Sequence, residues 1–246
     1  MKIFTVSNIK GGSAKTTTAI FLTEALSRMG KTLVIDMDMQ ADLTDYFLPD
    51  ATPEDIDKGN VFRLLTGESD FASSIHKGLF ADIIPGTIDL AFLTTRVMQN
   101  FSILKRLRTI LQENKDYDFV VIDTPGSARS ELTVSLVACD AILVPVTPSK
   151  WAIRAVNLLL DEVKNVREIT NKDHTICFVP CMFGKSAKHL DLLERIRSLQ
   201  EFRTLSPIPK SEVIKSKSEK RAKLKQRSQA WEAFNQLAEE VVGIQC

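Results

Sequence analysis

The sequence contains few residues of the kinds that form disulfide scaffolds, metal centres or membrane spans. It has 4 cysteines and 3 histidines in 246 residues, and no two cysteines form a C-x-x-C pair. No apolar run reaches the roughly 18 residues of a membrane helix, and the chain opens on an apolar strand with no visible signal peptide. These features argue against a disulfide-rich secreted protein, a cysteine metal centre and a membrane-spanning protein. We therefore expect Cys177 and Cys181 to be buried thiols in a reducing cytoplasm.

The chain has almost no net charge, but its basic residues are unevenly distributed. The formal net charge is +1, whereas residues 210–227 contain eight basic side chains against two acidic ones, Glu212 and Glu219. The basic residues of this segment are Lys210, Lys215, Lys217, Lys220, Arg221, Lys223, Lys225 and Arg227. Such clustering predicts a polyanionic partner. Because no base-reading motif is present, we expect these side chains to contact DNA phosphates without sequence specificity.

Apolar runs and helical periodicity alternate along the chain. Strands are predicted at residues 3–7, 32–36, 82–86, 119–123, 141–146 and 175–179. Helices are predicted at residues 15–29, 60–65, 97–114, 151–169 and 189–199, and one or two helices over 215–227 and 228–242. Alternating strands and helices predict an α/β fold with a mostly parallel, doubly wound sheet flanked by helices. We expect one domain over residues 1–246, with a basic C-terminal helical segment at 210–242.

A glycine-rich turn directly follows the first predicted strand. Its residues are Lys10, Gly11, Gly12, Ser13, Ala14, Lys15, Thr16 and Thr17. Backbone N–H groups of such a turn and of the following helix N-terminus converge on one point, where the helix dipole favours an anion. The sequence therefore predicts a phosphate site, with Lys15 at the β- and γ-phosphates and the Thr16 hydroxyl on Mg²⁺. Ile9 and Ala14 occupy the glycine positions of the common G-x-x-x-x-G-K-[ST] pattern, so the match is to K-G-G-x-x-K-[ST]-[ST].

Acidic residues follow two of the predicted strands. Asp36 and Asp38 end the second strand and Asp123 ends the fourth. Ligands of such sheets bind at the carboxyl ends of the strands, and an acid there commonly holds a metal-bound water. We expect Asp36 and Asp123 to organise Mg²⁺ through water, beside Thr16. One acid of the Asp36–Asp38 pair would organise the metal and the other would orient the attacking water.

Together these motifs resemble those of the ParA/MinD-type deviant Walker ATPases, which are P-loop NTPases of the SIMIBI type. The similarity covers nearly the whole chain: the phosphate loop, D-x-D-x-Q at 36–40, the D-T-P strand end at 123–125 and the V-P-V-T-P-S segment at 144–149. Within the group, the sequence is most similar to small plasmid-type ParA partition proteins, which lack an N-terminal helix-turn-helix extension.

The resemblance implies a role for each matching residue. Lys10 corresponds to the lysine that crosses a dimer interface to the partner's ATP, and Lys15 to the phosphate lysine. Asp38 corresponds to the acidic residue that the family requires for ATP hydrolysis, and Asp123 corresponds to the Walker B acid. The implied catalytic residues are therefore Lys10, Lys15 and Asp38. The segment Pro207, Ile208 and Pro209 falls where family members line the adenine.

Three positions depart from the family pattern. Ala14 and Ala41 stand in place of glycines, and Met39 stands in place of proline. If residue 14 needs a positive φ, alanine there adds roughly 1 kcal/mol of strain.

The resemblance implies an ATP- and Mg²⁺-dependent partition ATPase of the cytoplasm and nucleoid. An ATP-sandwich homodimer would bind DNA non-specifically, and a ParB-like partner would stimulate an otherwise slow hydrolysis. Three alternatives remain open: the positioning of a protein cargo, a MinD-like membrane ATPase, and a metabolic P-loop ligase or reductase. The membrane alternative is disfavoured, because the polar face of residues 231–242 carries glutamates that anionic lipid would repel.

Overall fold

A computed structural model describes residues 1–184, 186–198 and 202–245. The predicted end of a helix at Leu199, and Cys246, lie outside the described residues. Within the described ranges the strands are β1 Lys2–Val6, β2 Thr32–Asp36, β3 His76–Lys77, β4 Asp82–Ile84, β5 Phe119–Asp123, β6 Ala141–Val146, β7 Thr175–Phe183, β8 Arg203–Thr204 and β9 Ile208–Pro209.

The strands form a mostly parallel sheet with β1 near its centre. The order is β3-β4-β2-β5-β1-β6-β7-β8, and β9 pairs with the far end of β7. Every described pairing is parallel except that of β3 with β4. The predicted fold class is therefore confirmed.

Helices cover both faces of the sheet. They are α1 Lys15–Leu26, α2 Asp42–Phe47, α3 Pro53–Lys58, α4 Val61–Thr66, α5 Leu93–Gln99, α6 Ile103–Glu113, α7 Ser130–Ala138, α8 Ala152–Thr170, α9 Ala187–Arg197, α10 Glu212–Glu219 and α11 Gln229–Val242, with a 3₁₀ turn at Ile88–Phe92. No helix in the described part of the chain is both long and apolar enough to cross a bilayer.

The central strands are buried on both faces, which explains why they are continuous apolar runs. Successive residues alternate between two cores: Leu33 and Ile35 of β2 join the core beneath α5–α8, whereas Val34 joins the core beneath α1 and α11. Cys177 and Cys181 belong to this second core and are buried, as predicted.

The predicted helix at 97–114 is wrong in its first part. The structure has two helices, α5 ending at Gln99 and α6 beginning at Ile103. At the break, the Asn100 Oδ1 accepts hydrogen bonds from the Ser102 backbone N–H, at 3.1 Å, and from the Ser102 hydroxyl, at 2.7 Å. An asparagine side chain that bonds the backbone two residues on competes with the helix and turns the chain.

The basic segment is also only partly helical. α10 ends at Glu219, and residues 220–227, here called the basic loop, contain no helix or strand. Arg221 and Arg227 have φ values of 49° and 59°, which no helix accommodates. The prediction of a helix reaching Arg227 is therefore wrong.

Candidate nucleotide site

The glycine-rich turn forms a closed loop at the carboxyl end of β1. Gly12 and Ala14 adopt the left-handed conformation, with φ values of 67° and 66°, and α1 begins at Lys15. The Lys10 carbonyl accepts hydrogen bonds from the Ser13 hydroxyl, at 2.9 Å, and from the Lys15 Nζ, at 3.1 Å. The loop thus holds the Lys15 ammonium at its mouth, beside the N-terminus of a twelve-residue helix.

Lys15 is buried, and its charge depends on two acids. Burial lowers the pKa of Lys15, and the carboxylates of Asp123 and Asp38 oppose this effect by favouring the ammonium form. The sequence placed these three residues on separate segments, and the fold brings them within electrostatic reach of one another.

Asp36 and Asp123 lie side by side, because they are register partners on the adjacent strands β2 and β5. The Asp36 carboxylate is fully buried and its oxygens are already engaged. Its Oδ2 accepts hydrogen bonds from the Thr44 N–H, at 2.9 Å, and hydroxyl, at 2.7 Å, while its Oδ1 accepts one from the Asp38 N–H, at 3.0 Å. Burial raises the pKa of Asp36 to about 6, although these hydrogen bonds partly offset the rise. Asp36 is therefore well placed to hold the turn that carries Asp38.

Asp123 is different, since neither of its carboxyl oxygens accepts a hydrogen bond of normal geometry from the described residues. Burial raises its pKa well above the usual value, as does the neighbouring Asp36, while the Thr16 hydroxyl and Lys15 favour the charged form. An unpartnered buried carboxylate beside a hydroxyl fits Mg²⁺ coordinated by Thr16, with its water shell on Asp123. No group of three or more His, Cys, Asp or Glu side chains in the described ranges could hold a metal ion directly.

Asp38 lies in the loop between β2 and α2 and is partly exposed. Its Oδ1 accepts a hydrogen bond from the Gln40 N–H at 3.0 Å. Residue 41, which follows this loop, has a φ of 56° at the N-terminus of α2. Both alanines that replace family glycines, Ala14 and Ala41, are thus left-handed.

Two glycines have a role that the sequence analysis did not assign. A Cβ on Gly126 would lie 3.2 Å from the Gly11 backbone N and 3.4 Å from the Lys15 Nζ. A Cβ on Gly86 would lie 2.9 Å from the Asp36 Cγ. Glycine therefore lets the chain after β5 approach the phosphate loop and the chain after β4 approach Asp36. The position of Gly126 directly after D-T-P was the only available signal in the sequence.

A cavity of about 320 Å³ opens beside the phosphate loop. Ala14 and Thr17 line one side, and Ile208 and Pro209 of β9 line the other, while Pro207 is not among its lining residues. The buried Cys181 also faces the cavity, 3.9 Å from the Thr18 hydroxyl. The structure thus brings two of the three predicted adenine-lining residues next to the loop. The size and apolar lining suit a planar base.

Two of the eight basic residues of the C-terminal segment lie at this cavity. Lys210 and Lys215 line it, together with Glu212 and Glu219. Lys217 is half-buried, whereas Lys210, Lys215 and all five basic residues of the basic loop are exposed. The cavity and the basic segment therefore share one wall, formed by α10 and the two residues before it.

Comparison with known proteins shows what the chain is similar to. A family model described as an AAA domain matches residues 1–176. The chain is 31% identical to the sporulation initiation inhibitor protein Soj of Bacillus subtilis strain 168, over 70% of this chain and 68% of that protein. It is 30% identical to an uncharacterized protein of Methanocaldococcus jannaschii, over 98% of each chain. The crystal structure of a plasmid partition protein of Borrelia burgdorferi B31 bound to AMPPNP superposes with a TM-score of 0.87 at 27% identity, covering 98% of both chains.

Proposed function

The chain belongs to the AAA domain family, as a ParA/MinD-type ATPase, and from this premise we propose that it is a DNA partition or positioning ATPase. In the proposed cycle, ATP joins two copies in a sandwich dimer, and the dimer binds DNA through its basic segments. A ParB-like or other adaptor protein then stimulates hydrolysis and releases the DNA. The protein would act in the cytoplasm, on the nucleoid.

The geometry supports the roles proposed at the phosphates. Lys15 would contact the β- and γ-phosphates, and Thr16 with Asp123 would hold Mg²⁺, which neutralises charge developing on the phosphates. Asp36 would hold the Asp38 turn, and Asp38 would orient the attacking water. The Asp38 Oδ1 accepts a hydrogen bond from the Gln40 N–H, and its Oδ2 accepts none from the described residues, so the second oxygen is available to the attacking water.

The proposed dimer is supported by Lys10. Its carbonyl closes the phosphate loop, but its ammonium makes no ion pair or hydrogen bond among the described residues and is only half-buried. A cation in that position is available to a nucleotide held by a second subunit.

The observation that carries the proposed DNA binding is the shared wall of cavity and basic segment. The side chains of six of the eight basic residues form no hydrogen bond or ion pair within the described chain; the exceptions are Lys215, 3.9 Å from Glu219, and Arg221, 3.8 Å from Asp45. Unpaired lysines release counterions from DNA and give non-specific affinity that falls steeply with salt.

A DNA gel-shift assay tests this function. The protein should shift random-sequence duplex DNA with Mg²⁺ and a non-hydrolysable ATP analogue, and only weakly with ADP. In Lys10→Ala, the ATP analogue should no longer raise DNA affinity above that with ADP. Lys215→Ala/Lys217→Ala should weaken DNA binding with either nucleotide. Equal affinity with ADP and with the ATP analogue would refute the proposal.

Two alternatives are addressed by particular contacts. The apolar stripe of α11 packs on the protein, with Phe234 buried against Phe21 at a ring-centroid distance of 5.4 Å, so this helix does not present the stripe that MinD-like lipid binding requires. An iron–sulfur reductase would need paired cysteines at a dimer axis, but Cys139 is fully buried in the structure. A ligase would show turnover that depends on a small substrate and is unaffected by DNA.

A protein cargo in place of a plasmid or chromosome would use the same cycle. The adaptor protein would then be a component of the cargo. Pull-down with the ATP-bound dimer, compared with the ADP-bound form, separates the two: a centromere-binding protein supports partition, and an assembly component supports protein positioning.

A further inference from the structure

The basic loop, residues 220–227, is irregular but firmly attached to the protein at its middle. The Leu224 N–H donates a hydrogen bond to the Glu24 Oε2 at 3.1 Å, and the Tyr46 hydroxyl donates one to the Ala222 carbonyl at 3.1 Å. The side chains of Glu24 and Tyr46 are buried, with residue exposures of 3% and 2%. Leu224 is itself buried in the core beneath α1. The exposed basic side chains therefore alternate with anchored backbone.

Both anchors lie on helices that begin at the nucleotide site. Glu24 lies on α1, which starts at the phosphate lysine, Lys15. Tyr46 lies on α2, two residues after Thr44, whose N–H and hydroxyl both bond the Asp36 carboxylate. The two helices contact each other, since the rings of Phe21 and Tyr46 meet edge to face at 6.3 Å. A shift of either helix would therefore act on the basic loop through these hydrogen bonds.

The loop conformation is not one that its sequence would adopt freely. Arg221 and Arg227 are both left-handed, with φ values of 49° and 59°, and such residues persist only where their surroundings hold them. Around Arg221 these surroundings include Asp45 of α2, 3.8 Å from the guanidinium. The Lys223 ammonium lies over the Phe80 ring at 5.7 Å. The anchors thus fix which cations face outwards.

We propose that Glu24 and Tyr46 are positioning residues that couple the basic loop to the phosphate loop and the Asp38 turn, so that nucleotide state sets the DNA-contacting surface. The DNA-affinity test of this inference rests on the proposed function. The hydrogen-exchange test does not. Tyr46 is the sharper probe, because the one hydrogen bond that its hydroxyl makes among the described residues goes to the Ala222 carbonyl of the loop.

The chain offers a matched control, since it has only two tyrosines. The Tyr117 hydroxyl also donates one partly buried hydrogen bond, to the Asp82 Oδ2 at 2.6 Å, at the first residue of β4 and not to the basic loop. Tyr46→Phe and Tyr117→Phe remove the same group from two places. We expect basal ATP hydrolysis to stay unchanged in both. DNA affinity with the ATP analogue should fall by roughly two- to tenfold in Tyr46→Phe alone, the effect of one hydrogen bond.

Hydrogen exchange of the Leu224 amide supplies a readout that does not need DNA. In the wild type, adding Mg²⁺ and the ATP analogue should change the protection of this amide, and Tyr46→Phe should reduce that change while Tyr117→Phe should not. If the wild type shows no nucleotide-dependent DNA binding but does show this exchange response, the proposed function fails and the coupling stands. If Tyr46→Phe matches Tyr117→Phe in both exchange and DNA affinity, the coupling is wrong. Glu24→Gln keeps an acceptor oxygen but removes its charge. Like Tyr46→Phe, it should reduce both the exchange response of the Leu224 amide and the DNA affinity with the ATP analogue.

Discussion

The backbone conformation of the phosphate loop depends on single residues, and Ala14 is one example. The sequence alone raised the question of whether this position needs a positive φ, and the structure answers it, with φ at 66°. A non-glycine residue in this region stores roughly 1–2 kcal/mol relative to right-handed backbone. Ala14 therefore holds the loop at a cost that glycine would not carry.

We predict that Ala14→Gly raises the unfolding free energy of the nucleotide-free protein by up to about 1 kcal/mol, after the extra entropy of glycine in the unfolded chain is subtracted. Urea denaturation measures it. The control is Ala19→Gly, at a buried helical position of α1, which should lower the unfolding free energy by about 1 kcal/mol or more. Equal destabilisation by both changes would contradict the strain assigned to residue 14.

Asp36 gives a pH prediction with a definite sign. Its folded pKa is about 6, above the unfolded value near 3.8, so the folded state binds more protons than the unfolded state between these values. Its contribution to stability is full below pH 4 and is lost as pH rises through 6. The difference in unfolding free energy between wild type and Asp36→Asn should therefore fall by roughly 2 kcal/mol from pH 4 to pH 7. A difference that is flat or rises with pH would contradict the burial assigned to this carboxyl.

At the scale of single residues, the sequence predicted the glycine-rich loop with its two lysines and the acidic residues Asp36, Asp38 and Asp123. Each of these features follows an apolar strand in a recognisable pattern. It did not predict Thr44 as the partner of Asp36, nor Gly126 as the residue beside Gly11. These depend on close approach between segments distant in sequence, which no local pattern encodes.

Among the elements, long apolar strands and amphipathic helices such as α8 were predicted well, since their periodicity reflects one buried face. α7 was missed because seven of its nine residues are buried, leaving no polar face to mark its period. α2 and α3, of six residues each, were missed because fewer than two turns show little periodicity, although α4, of the same length, was predicted. The basic loop departs from helix because Leu224 is anchored to Glu24, 200 residues away.

The packing of α11 on α1 yields an element-scale prediction. Phe234 is fully buried, so Phe234→Ala should lower the unfolding free energy by about 3–5 kcal/mol through lost burial and the cavity left behind. Phe101, 72% exposed, is the control, and Phe101→Ala should change the unfolding free energy by less than about 0.5 kcal/mol. Denaturant titration of both variants measures these two changes. A small effect at Phe234 would mean that α11 is loosely attached and that its stripe is available to lipid.

The whole molecule combines a nucleotide cavity and a cationic surface on one wall. If the basic loop contacts phosphates, Lys220→Ala/Lys225→Ala should reduce the slope of log affinity against log salt by about 2, since each phosphate contact contributes roughly 0.9. Lys58→Ala/Lys164→Ala, at exposed lysines of α3 and α8, should leave the slope unchanged. An unchanged slope in the first variant would place the DNA contact elsewhere.

The central claim is that bound ATP joins two copies of the protein and that only this dimer binds DNA. Sedimentation velocity of the Asp38→Ala variant in saturating Mg²⁺ and ATP, with labelled duplex present, tests it most directly. We predict a dimer that carries the duplex with it, and a monomer that leaves the duplex free when ADP replaces ATP. A protein that stays monomeric with ATP, or a monomer that binds the duplex equally well, would contradict the account.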